Sequence, residues 1–166
     1  MTQIFLSHSN QDRVLCEWLK QSAARAGIDL YLAEHDVQAG EHLANTIRSA
    51  IKGSDAVVVL LSTASVDSSY VNQEIGLALE AEKVIIPLVQ PGIDPSRLAM
   101  LQGVKYISFD FESPHEGRDE LLATLQRLIS RQQVSRGMPR ETVVLAGLAL
   151  AVLLLLAIDP SAPAVS

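Results

Sequence analysis

Apolar runs alternate with helical patterns along this chain, the arrangement that builds a parallel sheet with crossover helices. Ile4-Phe5-Leu6 reads as a short first strand, and Asp12 to Ala26 as a helix carrying Val14, Trp18, Leu19 and Ala26 on one stripe. Gly27 stands where such a helix ends. Ile28 to Leu32 alternates apolar with polar positions, as an edge strand does. A polar loop from Ala33 to Glu41 leads into a helix over about His42 to Lys52, which carries Leu43, Ile47 and Ile51 and stops at Gly53. Ala56 to Leu61 is apolar throughout and belongs at the sheet centre. A helix starting near Ser69 follows, then Val84 to Val89 as a second buried strand, with Pro87 inside it although proline cannot donate to a ladder. A short helix near Pro95 to Leu101, a weak strand from Val104 to Phe109 and a last helix over about Glu116 to Gln133 complete five strand–helix units. Leu121, Leu122, Leu125, Leu128 and Ile129 form the apolar face of that last helix.

The C-terminal end breaks this rhythm. From Val143 to Ile158 no residue is charged or strongly polar. As a helix the run reaches about 24 Å against a hydrocarbon core of roughly 30 Å, and Thr142, Met138 and snorkelling arginines extend its reach. It is apolar on every side, whereas a helix packed on one sheet face keeps a polar stripe. Arg127, Arg131, Arg136 and Arg140 precede it, and no Lys or Arg follows. Both features favour a spanning anchor over an oligomerising core helix, with the N-terminal domain in the cytoplasm. The expected layout is a folded domain over 1–134, a linker over 135–141, a transmembrane helix over 142–158 and a short outer tail over 159–166. Ser130 to Pro139 reads as a polar hinge before the anchor, and Met1 to Leu6 is too short and uncharged for a signal peptide.

With 166 residues, 48% of them hydrophobic, the chain has material for one sizeable core. Its net charge of −6 and the lack of a basic tract beside aromatics argue against a nucleic-acid partner. Cys16 is the single cysteine, so no internal disulfide forms, and it reads as a small buried hydrophobe on a helix.

Candidate chemistry gathers at the carboxyl ends of the strands: Ser7-His8-Ser9-Asn10 after the first, Glu34-His35-Asp36 with Gly40 after the second, Ser62-Thr63-Ala64-Ser65 after the third. In open α/β sheets these loops share one rim, and ligands bind there. Glu74 lies just past the start of the next helix, beside that rim. On the residues alone it has two readings, a carboxylate favoured by the helix dipole and a catalytic group. Ser7, Ser9 and Asn10 equally suit helix capping. The chain lacks a Gly-x-Ser-x-Gly elbow, a GxGxxG turn and any zinc-ligand spacing, and serines stand where a receiver domain needs acids for Mg²⁺.

Taken in order, several segments resemble the boxes of TIR (Toll/interleukin-1 receptor) domains. Ile4 to Ser9 is similar to the first box. Gly27 to Leu32 with Val37 to Glu41 is similar to the second strand and BB loop, Gly40 standing at the loop's usual glycine. Ser54 to Ser62 is similar to the third strand, Ser69-Tyr70-Val71-Asn72-Gln73-Glu74 to the Ser-Trp-x-x-x-Glu motif, and Ile86-Pro87-Leu88 to the fourth strand with its proline. The resemblance covers about residues 3 to 133. Tyr70 departs from the usual tryptophan, and the BB loop lacks the Arg-Asp-x-x-Pro-Gly of animal adaptors, which favours the prokaryotic, enzymatic branch.

The resemblance implies a flavodoxin-like fold, a five-stranded parallel sheet of order 2-1-3-4-5 with helices on both faces. It implies cleavage of the nicotinamide–ribose bond of NAD⁺, by hydrolysis or cyclisation, with Glu74 catalytic and Ser7, His8, Ser9, Asn10, Asp36 and Tyr70 contacting substrate. NAD⁺ would be the substrate, with no further cofactor. Expected partners are other TIR domains, a homo-oligomer among them, the membrane, and a sensor or second messenger, in an effector of antiphage defence. A non-catalytic TIR adaptor is the alternative, and a nucleoside-deoxyribosyltransferase-like enzyme shares the topology and a glutamate.

Overall fold

A computed structural model describes residues 3–32, 41–94 and 99–137. Strands β1 (Gln3–Ser7), β2 (Asp29–Leu32), β3 (Ala56–Leu61), β4 (Val84–Val89) and β5 (Ile107–Ser108) alternate with helices α1 (Arg13–Arg25), α2 (Glu41–Gly53), α3 (Ser69–Glu80) and α4 (His115–Gly137). All strand pairs are parallel, and the sheet order is β2-β1-β3-β4-β5, as expected. The chain divides into two units, Met1–Gln126 and Arg127–Ser166. The first holds the sheet and every site residue discussed below; of the second, the described part is the end of α4, Arg127–Gly137.

The middle strand is buried along its whole length, six apolar residues without a polar face. A strand covered on both sides by helices has no reason to alternate. Successive side chains still go to opposite faces. Phe5, Val57, Val59, Leu61 and Val89 join Ile47 and Ile51 of α2 and Val71, Ile75 and Ala78 of α3 in one cluster. Ile4, Leu6, Val58 and Leu60 alternate with them and are buried too, as are Cys16, Leu19 and Ala23 of α1 and Leu121 and Leu125 of α4. Cys16 is the buried small hydrophobe its sequence context implies, and burial pushes its thiol well above the ordinary range.

Several expectations are corrected by the fold. Val14 is 85% exposed; Leu19 is buried as expected, and the residues buried with it on α1 are Cys16 and Ala23. At 100° per residue those positions share a face that Val14 does not. Residues Asn10–Asp12 form a 3-10 turn before α1. The fifth strand is two residues long, not six, and the short helix is a 3-10 turn at Ala99–Leu101, with residues 95–98 outside those described. The stretch from Ser130 to Gly137, expected as a hinge, is helical. Pro87 pairs in register with Val59, while the β5 ladder covers only Leu88 and Val89. That leaves Pro87 a side on which no donor is required. Gly27, at φ +75°, ends α1 as expected, with its N–H donating to Ala24 O and the Ile28 N–H to Ala23 O.

Among the described residues no helix is long and apolar enough to cross a membrane. The apolar run 143–158, on which the anchor was expected, lies outside the described residues.

Candidate active site

The site begins where β1 ends. Ser7 is fully buried, and its hydroxyl donates to Glu74 Oε2 at 2.5 Å. Glu74 itself is 2% exposed. Burial pushes its carboxyl up to about 7, because a charge in this apolar layer loses its water. The Ser7 hydrogen bond pulls the other way, since it favours the anion, but it is the smaller effect.

Helix α3 delivers Glu74 to this position, and the local sequence starts the helix. Ser68 adopts extended backbone, φ −74° and ψ 120°, and its side chain accepts from the Val71 N–H at 3.4 Å. Its carbonyl also accepts from the Asn72 side-chain amide at 2.9 Å. Ser68→Ala removes the side-chain cap and is expected to cost roughly 0.5–1 kcal/mol, the low end for a cap bond this long. Urea unfolding checks this, and an unchanged midpoint would show the cap to be idle.

Two openings lie near the start of α3, and Glu74 lines the narrower one. A narrow cavity of about 30 Å³, room for one water, is lined by Ala44, Ile47, Arg48, Tyr70, Gln73, Glu74 and Leu77. A wider one of about 140 Å³ is lined by His8, Ser9, Asn10, Ser68 and Tyr70. Tyr70, 48% exposed, stands in the wall of both. The fold thus brings together His8, Ser9, Asn10 and Tyr70, which the sequence places sixty residues apart. Ser7 lines neither opening and instead holds Glu74 from behind. Asp36 lies outside the described residues.

His8 is buried, and its Nδ1 lies 3.2 Å from the Leu6 carbonyl. A carbonyl only accepts, so Nδ1 carries the proton and donates. Desolvation lowers the pKa of this histidine, outweighing the Leu6 bond, so at neutral pH the ring is uncharged. Ser9 caps the turn that follows, accepting from the Gln11 N–H at 3.4 Å.

Sequence reasoning missed two residues near the site. Asp12, read as the start of a helix, is 8% exposed and accepts from Ser62 Oγ at 2.6 Å. The signal for it was slight, since an acid near a helix start is expected for dipole reasons alone. Arg48, whose side chain pairs with Glu80 at 3.5 Å, was equally unforeseen beside Glu74. It sits on α2, and nothing in the local sequence of α2 points to α3.

Comparison with known proteins fits this architecture. The family model for the TIR domain matches residues 4–125. A protein of Brachypodium distachyon named as the probable 2′ cyclic ADP-D-ribose synthase BdTIR is 31% identical over 104 residues, a match covering 61% of this chain and 46% of that protein. The match therefore takes in about half of that relative's length. The TIR domain of the Toll-related receptor TRR-2 from Hydra magnipapillata superposes with a TM-score of 0.58 at 22% identity, covering 75% of this chain and 94% of that one. A chain of the RPS4 and RRS1 TIR domain heterodimer gives 0.59 at 16% identity, covering 77% and 98%. At such identities the two structures show likeness of fold. Through residues 4–125, which take in the sheet from Ile4 onward and the linings of both openings, this chain belongs to the TIR domain family.

Proposed function

We propose that this chain cleaves the nicotinamide–ribose bond of NAD⁺, with Glu74 as the catalytic carboxylate. The observation that carries the reading is the Ser7–Glu74 pair: a buried carboxylate, bonded by the serine hydroxyl at the end of β1, lining a narrow opening between α2 and α3 that shares Tyr70 with the opening at the strand-end loops. The similarity to a protein named as a cyclic ADP-D-ribose synthase supports it.

Heterolysis of the C1′–N bond sends the bonding pair to the pyridinium nitrogen and releases neutral nicotinamide. The leaving group already carries the positive charge, so no acid is required. The ribose becomes an oxocarbenium ion, which a carboxylate at its hydroxyls stabilises. Water adding at C1′ and losing a proton gives ADP-ribose, whereas attack from elsewhere in the same ADP-ribose gives a cyclic product. Glu74 must be anionic for this role. Its carboxyl, raised to about 7 by burial, ionises more readily when the cationic nicotinamide ring lies beside it. His8, Ser9, Asn10 and Tyr70 supply the polar and aromatic wall for the rest of the nucleotide, and Arg48 adds positive charge beside Glu74.

The full chain incubated with NAD⁺ under conditions that drive assembly is expected to release nicotinamide, and chromatography of the second product distinguishes ADP-ribose from a cyclic form. No loss of NAD⁺ sinks the enzyme reading and leaves a TIR adaptor. Turnover of deoxynucleosides in place of NAD⁺ would favour the deoxyribosyltransferase-like alternative.

The anchor and the assembly belong to the same proposal. The arginine-flanked apolar run 143–158 holds the domain at the cytoplasmic face of the membrane, where raised local concentration favours contact between copies. Paired TIR domains of this fold in the RPS4 and RRS1 heterodimer support such contact. An effector role against phage, triggered by a separate sensor, completes the reading. Deleting Glu141 to Ser166 is expected to move the protein from the membrane fraction to the soluble one, and unchanged fractionation refutes the anchor.

A further inference from the structure

Two loops form the walls of the 140 Å³ opening, one after β1 with His8, Ser9 and Asn10, the other between β3 and α3 with Ser68, followed by Tyr70 in the first turn of α3. Each loop is held within itself. The Asp12 N–H donates to Ser9 O at 2.9 Å, closing the first. In the second, Ser65 Oγ donates to Leu60 O at 2.6 Å and accepts from the Ser62 N–H at 2.7 Å. Ser62 Oγ accepts from the N–H groups of Ala64 (3.1 Å) and Ser65 (3.0 Å).

These bonds dictate where the Ser62 proton goes. Both oxygen lone pairs face N–H donors, and the Ser65 hydroxyl spends its own proton on Leu60. The Ser62 hydroxyl is left to donate to Asp12 Oδ2 at 2.6 Å, across fifty residues of sequence. Ser62 and Ser65 are buried, and Asp12 is nearly so. Ser65 Oγ lies 3.3 Å away as a second acceptor, but the bond to Asp12 is shorter, and a bond to a carboxylate is stronger than one between neutral groups. The clasp therefore joins the two loops rigidly, one residue beyond the end of β3 and at the foot of α1.

We propose that Asp12 is a positioning residue, which through Ser62 sets the spacing of the two loops that grip the nucleotide part of the substrate. It touches no reacting atom, because Glu74 is held separately by Ser7. The proposal rests on the NAD⁺-cleaving reading for its kinetic test, but not for its structural one.

The test uses the full chain. Asp12→Ala and Ser62→Ala are each expected to raise KM for NAD⁺ about tenfold while leaving kcat near the wild-type value. The double variant should be no worse than either single one, since both remove the same link. Asp12→Asn keeps an acceptor for the Ser62 hydroxyl and should restore KM to within about threefold of wild type. Amide hydrogen exchange should quicken together in residues 8–12 and 62–68 in both alanine variants and stay near wild type in Asp12→Asn. Losses that add in the double variant, a fall in kcat with KM unmoved, or no rescue by Asp12→Asn would overturn the clasp. If the wild type consumes no NAD⁺, the function fails while the exchange experiment still decides the clasp: quickening confined to one loop refutes it.

Discussion

Glu74→Gln is expected to abolish NAD⁺ turnover, by roughly a hundredfold or more, and to stabilise the protein at alkaline pH. The first effect follows from charge. Glutamine fills the same space and accepts the Ser7 hydrogen bond, but it offers no negative charge to a ribose cation. The second follows from burial. Folding raises the Glu74 carboxyl from an ordinary 4.5 to about 7, so the folded state holds that proton more tightly than the unfolded chain does. Between those values folded molecules bind more protons, and stability falls as pH rises through the window. Above it the wild type carries a buried anion at a cost of about 3 kcal/mol, taking 1.36 kcal/mol for each pKa unit. Glutamine removes the titration. Urea unfolding at pH 5 and pH 8 should show the variant gaining stability over wild type only at the higher pH. An equal difference at both values would show that burial does not strain this carboxylate. Activity gives the same group a second readout, with kcat/KM of the wild type rising through about pH 7 and levelling above it. Function and stability thus oppose each other at one residue, as they do where a charge is buried for chemistry.

The other large effect lies at Gly117, in the first turn of α4. A Cβ built there sits 2.6 Å from Phe109 Cδ2, 2.7 Å from the Ser108 carbonyl oxygen and 3.2 Å from Phe109 Cα. Phe109 is fully buried and packs edge-on against Phe111, with ring centroids 6.0 Å apart. Its ring has little room to move, and the Ser108 carbonyl belongs to the backbone of β5. Gly117→Ala normally gains up to about 1 kcal/mol from helix propensity. Here the overpacking, worth roughly 1–3 kcal/mol, is expected to win and give a net loss of about 2 kcal/mol. Trimming Phe109 relieves only part of the clash, because the carbonyl stays. A denaturation midpoint equal to or above that of wild type would show that α4 lifts away from β5 without penalty.

The alternation of apolar strands with helical patterns determined the fold class, since a six-residue apolar strand such as Ala56–Leu61 is stable only between two layers of helix. The ordered segments from Ile4 to Leu88 carried the family resemblance and with it the sheet order, while the arginines before Val143 carried the expectation of an anchor. Local periodicity was weaker at the margins. It put Val14 on the wrong side of α1 and ended α4 too early, because exposure depends on what an element packs against. What only the tertiary structure decided are the contacts between residues of separate segments. Ser7 to Glu74, Asp12 to Ser62 and Gly117 to Phe109 each join different elements. A serine at a strand end or an acid at a helix start has the same local propensity whether its side chain faces water or a buried partner. Folding removes the water, and that step turns an ordinary glutamate into a carboxylate that titrates near 7.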